Sequence, residues 1–299
     1  RRLMLTFLRS IQGSNPMTQS LAVFRLPLFL MVCSIVYSQG IFGADPTLGW
    51  RIDFFDDFET FDHQNWQDQL LWVNGEDQCY VRDGQYGTRE VNDGILTLRV
   101  IDLGAPRTCF NWDKQGNQHY PTPFVAGRIA SKNRKEFVGG RWTAKLRIKD
   151  SGQPGMFPAW WLLGAQNNEP PIEEPDESIC WPMIGSGEID IFEHHSDGGP
   201  DHYAARIIAN SGECGGGDWQ ANMLVQATEL GAWHEYAVEW LGPDIVFRLD
   251  GQEIYRIKAA AQQLPESFFA ILNFAKIKPG PMQRPWSMEV DWVKHELLE

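Results

Sequence analysis

Three carboxylates fall within six residues of one apolar stretch, in Gly185–His195, GSGEIDIFEHH. Glu188 and Asp190 keep the two-residue beat of a β-strand, and Glu193 comes one residue late. In a regular strand, residues 188, 190 and 192 share a face and 193 points the other way. That register would bury Glu193 among apolar side chains, where an unpaired carboxylate costs several kcal/mol. One extra residue at Ile191–Phe192, a β-bulge, re-aims Glu193 to the side of the other two acids. Three acids on one face suit retaining glycoside hydrolysis. That reaction needs two carboxyl groups about 5–5.5 Å apart, one as nucleophile and one as general acid and base. An acid between them would hydrogen-bond to a neighbour and push the pKa values apart. This chemistry needs no cofactor.

Other candidates are weaker. His194 and His195, with Asp197 and His202, raise a metal reading. Neighbouring strand residues face apart, however, and zinc normally needs three or four converging ligands. His195 shares the side of Glu193 if the strand resumes; it then either touches substrate or simply ends the strand. Trp160 and Trp161 are adjacent, so one packs in a core and the other lines a binding face. Gly212–Gly217 (GECGGG) lacks the Gly-Lys-Ser/Thr of a phosphate loop, and no helix follows it.

Short β-rich segments position these residues. Ile95–Val100 alternates apolar and polar residues. Arg141–Ile148 does the same, with Trp142, Ala144, Leu146 and Ile148 on one face. Asp250-Gly251 between Ile245–Leu249 and Gln252–Ile257 is a strong hairpin signal. Met288, Val290 and Trp292 are expected to face inward from the last strand. Helical periodicity is nearly absent, with a turn or two expected at Lys258–Gln263. The architecture that fits is an all-β sandwich of two antiparallel sheets, formed by a single domain over residues 45–299.

Residues 17–44 carry Arg25, an apolar run Leu26–Tyr37 and small residues after it, the layout of a secretory signal peptide. Residues 1–16 read as an upstream segment, and the mature protein is expected outside the cell or in a periplasm. Without residues 1–44 the chain has 22 basic and 39 acidic residues, a net charge of −17 (22 minus 39). Such a surface disfavours nucleic acid and anionic membrane and favours a neutral polysaccharide, bound by a monomer. Cys79, Cys109, Cys180 and Cys214 remain, an even number with three pairings open.

Glu-Ile-Asp-Ile-Phe-Glu resembles the signature of glycoside hydrolase family 16 in its bulged form. Similar stretches follow in family order over roughly residues 50–296: FFDDFETFDHQNW (54–66), GRIASKNRKEFVGGRW (127–142), GMFPAWWLLG (155–164) and MEVDWVKHE (288–296). The resemblance implies a concanavalin-like β-jelly roll with a glycan cleft. It makes Glu188 the nucleophile, Asp190 its assistant and Glu193 the acid and base. WVNGEDQCYV (72–81) and CWPMIGSGEID (180–190) are similar to laminarinase stretches. They imply Asn74, Glu76, Trp161 and Trp181 as substrate-binding residues and β-1,3-glucan as substrate. A structural calcium, where the family has one, would use Asp291. The histidine usual in the strand after the catalytic one is absent from YAARIIANSGECGGGDW (203–219), and Asn273-Phe-Ala-Lys-Ile-Lys278 departs from the family stretch. A galactan hydrolase, a transglycosylase and a non-catalytic glycan-binding protein are the alternatives.

Overall fold

Alternating apolar residues become two stacked sheets in the computed structural model. It describes residues 49–70, 76–108, 121–166, 185–196, 199–210, 219–221, 224–277 and 281–299. The front sheet runs in the order Trp219–Gln220, His202–Ala209, Gly187–Glu193, Met156–Gly164, Ser267–Lys276, Arg128–Ala130, Gln67–Asp68. The back sheet runs Gln252–Ile257, Asp244–Leu249, His234–Leu241, Arg141–Lys149, Trp286–Leu298, Ile95–Arg107, Thr122–Ala126, Cys79–Tyr80. Nearly all pairings are antiparallel; Cys79–Tyr80 against Thr122–Ala126 is parallel. The described residues lie within one compact unit, Asp45–Glu299. The signal-peptide reading of residues 17–44 lies outside them. Among the described residues no helix is long and apolar enough to cross a membrane.

The core lies between the sheets. Leu96, Leu98, Val100, Trp142, Ala144, Leu146 and Ile148 enter it from the back, and Trp160, Leu162, Ile189, Ile191 and Phe192 from the front. The Asp250-Gly251 hairpin forms as expected, with φ of 50° and 77° at its two central residues, the left-handed pair that matches strand twist. Lys258–Gln263 yields only a short 3-10 turn at Ala261–Gln263.

The last strand departs from its period. Val290 pairs with Leu146, but Trp292 pairs with Lys145, so Asp291 is one residue too many. The bulge puts Val293 in the core and turns Trp292 outward, 6.2 Å from the half-exposed ring of Phe55. Trp292 is therefore not the inward residue that strict alternation requires. A pattern of every second residue fails wherever a bulge adds one.

Candidate active site

The carboxylate strand Gly187–Glu193 carries the bulge expected for it. Opposite Met156–Gly164, Trp161 pairs with Asp190 and Trp160 with Phe192, leaving Ile191 extra. Opposite His202–Ala209, Asp190 pairs with Arg206 and Glu193 with Ala204. Glu188, Asp190 and Glu193 thus stand opposite Leu163, Trp161 and Ala159 on one side, and Ile208, Arg206 and Ala204 on the other. These partners alternate, so the three acids share the outer face of the front sheet. Ile189, Ile191 and Phe192 all point into the core. The late arrival of Glu193 thereby accommodates two core side chains in a row.

The start of this strand is clamped. A side chain at Gly187 would meet Leu264 at 2.2 Å and the Ile208 carbonyl oxygen at 2.9 Å, so only glycine lets the neighbouring strand approach. Buried Glu266 accepts hydrogen bonds from Ser186 Oγ at 2.5 Å, Gly187 N at 3.0 Å and Gln166 N at 2.7 Å. Burial raises the Glu266 pKa, and those donors oppose the rise.

All three acids are at least 94% buried. Arg206 lies within 4 Å of all three. Its guanidinium lies 2.5 Å from Asp190, 3.4 Å from Glu193 and 3.9 Å from Glu188. Burial pushes the Glu193 carboxyl well above its ordinary range; the Asp190 charge adds to this and Arg206 opposes it. Burial also raises Asp190, with Arg206 and hydrogen bonds to both glutamates opposing. A buried carboxyl that holds its proton beside one that is salt-bridged is the division of labour general acid catalysis needs.

Glu76, Arg128, Phe157, Ala159, Trp161 and Asn273 complete the lining around the acids. Trp160 lies in the core and Trp161 on the site face. Trp161 Nε1 donates to Asn273 Oδ1 at 2.8 Å, and Asn273 Nδ2 donates to Tyr80 Oη at 3.1 Å. Gln78 donates to Glu76 at 2.8 Å. The unusual Lys276 is structural: its ammonium pairs with Asp77 at 2.7 Å, tying the segment that carries Glu76 to the sheet. His195 lies at the end of the site beside Glu193, its ring 4.2 Å from that of Phe157. Asn74 and Trp181 lie outside the described residues. So do Cys109, Cys180 and Cys214; Cys79 is disulfide-bonded.

Asp291 is the extra residue of the last strand and pairs with Lys145 Nζ at 2.7 Å. No group of three or more acids, histidines or cysteines that could hold a metal gathers among the described residues. Asp291 is an ion-pair partner of Lys145 here, with no such group gathered around it.

The family's usual histidine is absent from the strand His202–Ala209, and the structure puts Arg206 of that strand beside the acids. Its available signal is that it is the lone charge in the apolar run Tyr203–Ala209. Arg128, Phe157, Asn273 and Glu266 are further site residues that local spacing does not single out.

No family model matches the chain. It is 25% identical over 248 residues to glucan endo-1,3-beta-glucosidase A1 of Niallia circulans, covering 75% of this chain and 32% of that protein. It is 24% identical over 247 residues to a beta-glucanase of Rhodothermus marinus, covering 80% of this chain and 75% of the relative. Among solved structures it is similar to LamA of Zobellia galactanivorans in complex with laminaritriose and laminaritetraose. The TM-score is 0.66 at 24% identity, over 82% of this chain and 98% of that one. The likeness in structure shows the jelly-roll fold. The chain spans about a third of its Niallia circulans relative.

Proposed function

We propose that the chain is a laminarinase-like member of glycoside hydrolase family 16, a retaining endo-glycosidase that cleaves β-1,3-linked glucan outside the cytoplasm. One observation carries the reading: a bulge gathers Glu188, Asp190 and Glu193 on one face of the front sheet. Protonated Glu193 donates to the glycosidic oxygen as Glu188 attacks the anomeric carbon, breaking the C–O bond and forming a glycosyl ester. Ionised Glu193 then takes a proton from water, whose oxygen attacks the anomeric carbon and releases Glu188. Asp190 sits between the two glutamates and steadies their charges.

Charge favours a neutral glucan over a sulfated galactan. The lining holds four carboxylates, Glu76, Glu188, Asp190 and Glu193, against two guanidinium groups, Arg128 and Arg206. Even with Glu193 protonated the site is net negative, and it repels an anionic chain. The glucanase names of the relatives and the laminari-oligosaccharides bound by the LamA structure agree with this choice.

The test is reducing-end release from laminarin, mixed-linkage β-glucan, agarose and κ-carrageenan, with Glu188→Gln as control. We expect release from laminarin, lost in the variant. Release from a galactan alone would overturn the substrate. Retention on immobilised glucan without turnover would make the chain a binding protein. Elongated products from laminari-oligosaccharides would mean that a sugar hydroxyl replaces water as acceptor.

A further inference from the structure

Arg206 reaches all three acids, from the strand position directly opposite Asp190. Its contacts are graded: Nε is within hydrogen-bond distance of Asp190 at 2.5 Å and farther from Glu193 at 3.4 Å, and Nη2 lies 3.9 Å from Glu188. The charged and titratable groups around Glu193 come from every side. Asp190, Glu188 and His195 belong to its own segment, Arg206 and His202 to the neighbouring strand, and Glu76 and Arg128 lie across the site. Only the two arginines are charged at every working pH. Arg128 has Nε on Gln69 at 3.0 Å and its guanidinium over the rings of Trp161 and Tyr80.

We propose that Arg206 is a positioning residue that assigns the charges of the carboxylate strand: it fixes Asp190 as the carboxylate and leaves the exchangeable proton on Glu193. The inference rests on the retaining reading above. Three buried carboxyls on one face would otherwise trade protons among themselves, because like charges at short range do not all ionise together. A counter-ion bonded to the middle acid breaks that symmetry. Asp190 stays ionised and accepts the Arg206 hydrogen bond, and Glu193 keeps the proton at the end where the leaving oxygen is protonated. An imidazole in this place would lose its charge near pH 6.5, whereas a guanidinium does not. The assignment therefore holds over the whole working range.

The test reads the proton directly. In protein labelled with ¹³C at the glutamate carboxyl, the Glu193 resonance is the one missing from Glu193→Gln, and its midpoint is followed with pH. Arg206→Met should move that midpoint up by about one pH unit or more, and Arg206→Lys should return most of the shift. Asp190→Asn should move it down, because the charge that raises Glu193 is gone. The alkaline limb of kcat/KM on laminarin should follow each shift in the same direction. A folded Arg206→Met protein with an unmoved midpoint would overturn the proposal. If that variant does not fold, Asp190→Asn decides alone: an unmoved midpoint would mean that Asp190 is already neutral. Failure of the glucanase reading is separable, since a wild type that hydrolyses no glucan still gives its carboxyl titrations.

Discussion

Acids on the two sheets are equally buried but oppositely poised. On the outer face of the back sheet, three carboxylates each meet two cations. Glu289 pairs with Arg147 and Lys149, Glu296 with Arg141 and Lys294, and Glu239 with Arg248 and Arg141. Burial works to raise Glu289 and Glu296, yet their partners outweigh it and both pKa values are lowered. On the front sheet three carboxylates share the guanidinium of Arg206, burial wins, and Glu193 is raised. Glu193 is 5% exposed and Glu296 4%, yet burial outweighs the partners only at Glu193. Their charged neighbours differ as well. An acid held between two cations is a structural carboxylate; a deeply buried acid beside another acid keeps a proton available for chemistry.

The comparison breaks most visibly at the nucleophile. Glu188→Gln keeps the shape of the strand and removes the attacking oxygen, so hydrolysis should fall by about 10⁴-fold or more, measured as initial rate on laminarin. Glu193→Gln should cost about 10²–10⁴-fold. The wild-type rate should fall as pH rises through the raised Glu193 pKa, and this variant should lack that limb.

Stability sharpens the contrast, because the two acids carry opposite signs. Glu193, raised in the folded state, contributes stability below the ordinary glutamate value of about 4.3 and loses it as pH rises through the raised value. Glu193→Gln should therefore raise Tm on the alkaline side. Glu289 and Glu296, lowered in the folded state, contribute above that ordinary value and lose it as pH falls through their own. The Glu266 clamp comes next in size. Glu266→Gln disturbs a buried acceptor of three hydrogen bonds and should cost about 1–3 kcal/mol; thermal unfolding with kcat measured alongside would check it. Glu289→Gln should be the smallest effect, about 1 kcal/mol at pH 7 or about 2–4 °C in Tm. That loss should vanish in strong acid and leave kcat untouched.

The amino-acid sequence by itself determined the strands, the Asp250-Gly251 hairpin and the bulged carboxylate strand. Each follows from local rules: alternation, the turn residues, and the cost of burying Glu193 on the wrong side. The split of Trp160 and Trp161 between two faces is likewise local, since neighbours in a strand face apart. Tertiary structure decided which charges meet. Arg206 reaches Asp190 from 16 residues away, Lys276 reaches Asp77 from 199, and Glu266 holds Gly187 from 79. Such pairings depend on which strands become neighbours and in what register, and nothing in a local pattern carries that. The bulge at Asp291 shows the limit from the other side. The two-residue period of Met288, Val290 and Trp292 points Trp292 inward, but the pairing with Arg141–Lys149 sets Val293 in the core instead. Periodicity describes one strand alone, whereas a bulge is a relation between two.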